Sequence, residues 1–458
     1  MKSILNKTAL TVAVIALLSA CGLYDNLDTE PQQSLSNVTA ITTPVDAESA
    51  LNGTYAAMNQ GGYYGRMQVI YGPNQFIYLG STASTTRSIT FDSENNNVSP
   101  ADNTLTGTWD DIYEMADRAS NVIEAVPNID EMAFSPASRK NEIIAEARFL
   151  RALAHFDALR FFGRFWDTGS PLGAPLRLVP GNTTNKDLAR STVAETYASI
   201  NEDLDFAIAN GPDFSASHLT SVVAARALKA RVALYQGDFE TAISLATQVI
   251  DGGSFALEAV YDDIFINRLA SSELIFGMFA NATTEQSGHS FFFLSQASGG
   301  RQDYGPTPQY LALIAGDPRE AASADPSVPE VLKYPNVNTQ DDPAYIMRLA
   351  ELYFIRAEAL ARQAAPDLAG ALADLNVIRG RVGLADATAG TVEEFLGLLQ
   401  EEKVKELAFE GSHSWFDAIR LGNARTLKPS IPSDDRLVLP LPTQEIDNND
   451  FLEQNPSY

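Results

Sequence analysis

The stretch from Val222 to Asp251 reads VVAARALKARVALYQGDFETAISLATQVID. Apolar residues recur at three- and four-residue spacing on either side of Gly237-Asp238. Such a pattern predicts two helices, each with one apolar stripe, joined at a tight turn. Ala230 and Ala242 stand 12 residues apart, and small side chains at those points let the two antiparallel helices approach closely. This is the tetratricopeptide spacing, a helix pair of about 34 residues.

The same reading extends outward. In Ala344–Arg379, Ala359 and Ala371 are also 12 apart, with Pro366-Asp367 at the turn. The series Ile346, Leu349, Tyr353, Ala357, Leu360 predicts a helix, and Pro343 just inside its start is a usual helix-opening position. Two further pairs, Ala47–Gln60 with Trp109–Val126 and Ala145–Gly163 with Val193–Asn210, fit if a long loop separates each pair of helices. The segment Ile143–Phe162 is apolar on nearly all sides, which predicts a deeply buried helix with His155 as a hydrogen-bonded core residue. The expected fold is therefore mostly α, with tetratricopeptide-type helical repeats, about four units, and long irregular loop excursions.

Two excursions interrupt the helices: Gly61–Gly107, and Gly252–Asp342 with Gly299-Gly300, Pro306, Pro308 and Pro326 as breakers. Loops of this length inside a compact domain are usually functional. Both are rich in aromatic residues. A sugar presents polar edges and apolar C–H faces, so its site wants aromatic platforms beside amide, carboxylate and guanidinium groups. Tyr78, Arg87 and Asn96 offer that mixture in the first excursion, and Phe292, Arg301, Gln302 and Tyr304 in the second. The expectation is that the two excursions meet on one face and hold ligand between them.

The N-terminus predicts export. Lys2 and Lys7 precede an apolar run, Ala9 to Leu18, too short for a transmembrane helix of about 20 residues. The run ends Leu18-Ser19-Ala20-Cys21, a bacterial lipobox, and Cys21 is the only cysteine of the chain. Residues 1–20 read as a lipoprotein signal peptide and Cys21 as the lipidated residue, whose acyl chains would hold the protein on a membrane. Asp25, Asp28 and Glu30 follow in a polar tether, and resemble a surface-export signal of Bacteroidetes lipoproteins.

Composition narrows the function. The 458 residues carry a formal net charge of −26, which argues against a nucleic-acid partner. None of the four histidines has metal-ligand spacing, no cysteine is available as a nucleophile, and no phosphate- or dinucleotide-binding loop or nucleophile elbow is present. Glu402, Glu406 and Glu410 repeat on one helix face. Three like charges there repel, so they read as partners of arginines such as Arg356, Arg379, Arg381 or Arg420 rather than as glycosidase carboxylates. Asp92-x-Glu94-x-Asn96 departs from a calcium loop at Asn97 and Asn103. Neither enzyme activity, a cofactor nor a metal is expected.

Four blocks carry a family resemblance: Glu146–Gly163, with EARFLRALAHF and RFFG; Arg348–Leu384, with RAEA and LNVIRGRVGL; Glu402–Gly422, with EKVKELAFEG, WFD and RLG; and the closing LPLPTQEI and QNPSY. In this order, behind a lipobox, they resemble the SusD/RagB family over essentially the whole mature chain. The resemblance implies one domain over residues 21–458, with an N-terminal part of about 21–250 and a C-terminal part of about 251–458, built on tetratricopeptide units. It further implies an outer-membrane, cell-surface nutrient-binding lipoprotein. Such a protein would bind an oligosaccharide or a peptide and deliver it to a SusC-like TonB-dependent β-barrel transporter. The alternative is a tetratricopeptide scaffold binding protein partners in envelope assembly.

Overall fold

A computed structural model describes residues 40–66, 78–81, 95–182 and 184–458. The lipobox with Cys21, the stretch holding Arg87, and Asp92 and Glu94 of the calcium-like pattern lie outside them.

Among the described residues ten longer helices make the frame: α1 Pro44–Met58, α2 Asn103–Ala125, α3 Arg139–Phe162, α4 Val193–Asn210, α5 Val222–Gln236, α6 Phe239–Asp251, α7 Leu349–Arg362, α8 Leu368–Arg381, α9 Val392–Leu407 and α10 His413–Arg420. They pair as α1 with α2, α3 with α4, α5 with α6 and α7 with α8, the four units expected. Contacts of α2 with α3, α4 with α5 and α6 with α7 join successive pairs, so each pair closes the core of its neighbour.

Local chemistry sets the helix ends. Gly237 stops α5 in the left-handed region (φ 78°), where a side chain would be strained, and Asp238 then caps α6 by accepting the Thr241 N–H at 3.1 Å. Thr43 with Asp46, and Thr192 with Glu195, form reciprocal capping boxes at α1 and α4. Ala230, Ala242, Ala359 and Ala371 are all fully buried at the helix contacts.

Helix α3 is buried along almost its whole length. Several of its polar residues are paired inside the fold. Arg151 is bidentate to Asp203 of α4 at 2.8 Å for both contacts, and Asp157 accepts from Tyr63 at 2.6 Å and Tyr64 at 2.9 Å. His155 accepts the Arg177 N–H at 3.1 Å and is held neutral by burial.

Among the described residues three two-stranded antiparallel sheets fasten the excursions: β1 Leu79–Ser81 with β3 Tyr304–Pro306, β2 Leu274–Gly277 with β6 Tyr345–Arg348, and β4 Ala324–Asp325 with β5 Glu330–Val331. Here one expectation is corrected. Pro343 precedes a strand and not a helix, and Ile346 lies in β6, because pairing with β2 holds that segment extended; α7 begins only at Leu349.

The carboxylates of the α9 segment are buried and paired with cations. Glu402 binds Arg319 at 2.6 Å and Arg379 at 2.7 Å. Glu406 binds Arg381 at 2.5 Å, Arg348 at 3.1 Å and Arg319 at 3.2 Å. Glu410 binds Arg348 and Lys333, each at 2.6 Å. Burial pushes the Glu406 carboxyl up, but Arg381, Arg348 and Arg319 outweigh it and hold the group well below the usual carboxylate range. Arg379 and Arg381 are thus partners as expected, whereas Arg356 and Arg420 are not. Arg356 is taken by Asp374 at 2.7 and 2.8 Å, and Arg420 by Glu358 at 2.6 Å for both contacts. Among the described residues no helix is long and apolar enough to cross a membrane.

Candidate ligand-binding face

The two excursions meet. Leu79 lies opposite Pro306, Gly80 opposite Gly305 and Ser81 opposite Tyr304, and the Thr307 N–H donates to the Tyr78 carbonyl at 3.2 Å. Further back, the Gly288 N–H donates to the Gly65 carbonyl at 2.9 Å, and His289 Nε2 lies 2.9 Å from the Tyr64 carbonyl oxygen. A Cβ on Gly62 would collide with the Gly107 carbonyl, so only glycine lets the first excursion leave α1 this close to α2.

Phe292 is the hinge pin of this junction. The Arg66 guanidinium lies 5.3 Å from its ring centroid and the Arg301 guanidinium 5.7 Å, the latter also 5.6 Å from Phe291. Cation–π contact of this kind is strengthened where water is partly excluded. Phe291 stands edge-on to Phe292 at 5.6 Å, and Tyr304 lies 6.4 Å from Phe292. Phe292 and Tyr304 are only 7% and 3% exposed, so these rings pack the junction from behind. Arg301 is exposed and pairs with Asp303 at 3.3 Å; Gln302, at φ 53°, donates from its amide to the Pro329 carbonyl at 3.2 Å. Asn96 is buried at φ 55°, and no hydrogen bond to its amide is found among the described residues.

Tyr78 is half-buried and stands apart from that cluster, at the rim of a cavity of about 250 Å³ between α9 and α10. Gly397, Gln400, Glu401 and Val404 form one stripe of α9 along this cavity, and His413, Ser414, Asp417 and Leu421 line it from the α10 side. Asn423 donates to Gln400 at 3.0 Å across the cavity, while Lys403 binds Asp417 and Lys405 binds Glu401, each at 2.5 Å. Burial lowers the His413 imidazole to about 4, so at neutral pH it offers a neutral ring. Burial pushes Asp417 up, but Arg420 and Lys403 hold it below the usual carboxylate range. A ring at the rim, amides and paired charges inside make a surface suited to hydroxyl groups. Among the described residues no group of three or more His, Cys, Asp or Glu side chains could hold a metal ion.

The structure therefore places Phe292, Arg301, Gln302 and Tyr304 together at the junction, with Tyr78 next to the β1–β3 ribbon but lining a separate cavity. Sequence reasoning missed Gln400, Glu401 and Asn423. The signal was there in the 397, 400, 401, 404 spacing, but the paired glutamates of the same helix drew the reading toward scaffold.

Comparison with known proteins agrees with this architecture. Residues 25–234 match the SusD-like family model described as starch-binding and associating with the outer membrane, and residues 330–431 match the SusD family model. The chain belongs to the SusD/RagB family. It is similar to the SusD-like protein P38 of Formosa agariphila, at 26% identity over 98% of both chains. Among solved SusD structures it resembles a superfamily member from Bacteroides thetaiotaomicron, at 25% identity and a TM-score of 0.79, covering 91% of this chain and all of the other. A laminarin-binding SusD-like protein shares the fold at 22% identity and a TM-score of 0.78, over 91% of this chain and 100% of that one. SusD-like proteins are binding proteins, and carbohydrate binding at the outer membrane is the family's described role.

Proposed function

We propose that this chain captures an oligosaccharide where the two excursions join and passes it to a SusC-like TonB-dependent transporter. The observation that carries the reading is the β1–β3 ribbon, which brings Tyr78 to the rim of a polar cavity while Phe292 and Tyr304 brace it from behind. In this reading Tyr78 supplies the stacking ring. Arg301 and Gln302 present hydrogen-bond donors from the neighbouring turn; Arg87 is a further proposed contact and lies outside the described residues, while Asn96 is buried. Cys21, acylated, anchors the chain to the outer membrane at the cell surface. The family's described starch binding, and the laminarin-binding protein of the same fold, support a glucan as the first ligand to try.

The test is calorimetric titration of the mature chain with starch- and laminarin-derived oligosaccharides, with an unstructured peptide panel in parallel. Tyr78→Ala should weaken glucan binding about tenfold, the scale of one lost stacking contact in a desolvated site. Unchanged glucan affinity in that variant would remove the cavity from the reading. Binding of peptides alone would replace the ligand class.

A further inference from the structure

A second cavity, of about 220 Å³, shares no lining residue with the one at Tyr78. It is walled by Asn52 and Tyr55 of α1, by His218 before α5, and by Phe279 and Glu285 after β2. Main-chain contacts fix these walls. The Gly277 N–H donates to the Ser217 carbonyl at 2.8 Å, which holds His218 beside the end of β2. Asn281 Oδ1 accepts the N–H groups of Thr283 and Thr284, each at 2.8 Å, and its own N–H donates to the Glu285 carbonyl at 2.9 Å, which sets the turn that presents Glu285.

The side chains are unequal in what they have left to offer. The Tyr55 hydroxyl donates to Glu146 at 2.5 Å and accepts the Thr220 N–H at 2.9 Å, so only its ring faces a ligand. His218 and Phe279 have ring centroids 4.9 Å apart, inclined at 48°. Burial lowers the His218 imidazole, which leaves it a neutral ring at pH 7. No ion pair or hydrogen bond to the Glu285 carboxylate is found among the described residues, and no lysine or arginine lines the cavity. Glu285 is half-buried, and it differs in this from the buried Glu146, Glu273, Glu351, Glu358, Glu402, Glu406 and Glu410, each of which is paired with a cation.

An unpaired carboxylate beside three aromatic faces has the chemistry that attracts a positive charge: a counter-ion on one side and ring quadrupoles on the others. The overall charge of −26 raises the local concentration of cations further. We propose that this cavity is a second binding site, for a small organic cation such as a primary or quaternary ammonium, with Glu285 as counter-charge and Phe279, His218 and Tyr55 as the apolar walls. The proposal does not rest on the reading of the Tyr78 cavity.

Glucosamine and glucose differ at neutral pH chiefly by the ammonium group, and choline carries a quaternary one, so these three are the probes. In calorimetric or NMR titration of the mature chain at low salt, glucosamine and choline should bind, with glucose at least about tenfold weaker. Glu285→Gln should weaken both cations about tenfold, and Phe279→Ala should weaken choline by a similar factor. Phe279→Leu, which keeps most of the apolar volume but removes the ring, should retain the fold and still weaken choline, separating lost recognition from unfolding. Glucose binding as tightly as glucosamine would overturn the proposal. So would undiminished cation binding in Glu285→Gln, or no binding of either cation at millimolar concentration.

Discussion

Tyr78 and Tyr310 stand edge-on, with ring centroids 6.4 Å apart and planes at 69°, and they belong to different excursions. Tyr310 is fully buried and packs in turn on Phe409 at 4.6 Å, while Tyr78 keeps part of its ring at the cavity rim. One ring serves the fold and the other the surface. Tyr310→Ala should cost about 3–5 kcal/mol of stability. Tyr78→Ala should cost less than about 2 kcal/mol while weakening ligand binding. Denaturant unfolding of the two variants side by side decides it. Tyr304, at 3% exposure, should behave like Tyr310, so a binding defect in Tyr304→Ala is interpretable only beside its stability.

Ala230 and Ala359 sit without exposed surface where paired helices cross. Leucine at either position overfills the contact and should lower stability by about 1–3 kcal/mol. A change near zero at both would argue against close approach of α5 to α6 and α7 to α8.

Much of this frame was legible in the sequence, for a local reason. Alanines 12 apart and a Gly-Asp corner are short-range signals, and the helix pairs they specify are sequence neighbours. What was not legible is long-range. β6 is extended because of β2, some seventy residues earlier, and no periodicity within 345–348 reports that. Arg319 and Lys333, which neutralise Glu402, Glu406 and Glu410, come from the irregular second excursion, where no spacing marks a buried cation. On the proposed ligand face, aromatic content marked the two segments that the β1–β3 ribbon joins. It could not separate Tyr78 at the rim from Tyr304 behind it, because composition carries no burial.

The buried charge cluster makes a sharp stability prediction. Glu406→Gln leaves Arg381, Arg348 and Arg319 short of a shared carboxylate inside the protein, and breaking such a set typically costs about 3–5 kcal/mol. The midpoint of denaturant unfolding should fall accordingly. A loss under about 1 kcal/mol would mean that water or Glu273 compensates the cations.

One contribution to acid stability can be isolated at His155. Burial, with Arg151 and Arg177 nearby, lowers His155 to about 3 against 6.5 in the unfolded chain. Below pH 6.5 the unfolded state takes up a proton that the folded state refuses, so this contribution is intact above 6.5 and is lost as pH falls toward 3. His289 and His413, each lowered to about 4, have the same sign, and Asp342, raised by burial to about 6, has the opposite one. A variant compared with the wild type isolates the one residue. His155→Asn keeps an acceptor and does not titrate. The stability gap between the two proteins should narrow by about 1.4 kcal/mol per pH unit below 6.5. A gap independent of pH would show that His155 takes up its proton as readily in the folded protein as in the unfolded chain.

Membrane attachment has its own test. Cys21→Ser should abolish incorporation of labelled palmitate and move the protein from the outer-membrane fraction to the soluble one. Retention on membranes after a high-salt wash, together with no labelling of the wild type, would overturn the lipid anchor.

The ribbon that joins the excursions is made of main chain. Glycine faces glycine at its centre, and the bond at its margin runs from the Thr307 amide to the Tyr78 carbonyl. A clasp of that kind is indifferent to most of the side chains hung from it. Residues around Tyr78 and Arg301 could be exchanged through generations without unfastening the two segments, and the helices underneath would register no change. The molecule thus fastens its two long loops by groups that every residue carries, and leaves the side chains beside them free to differ.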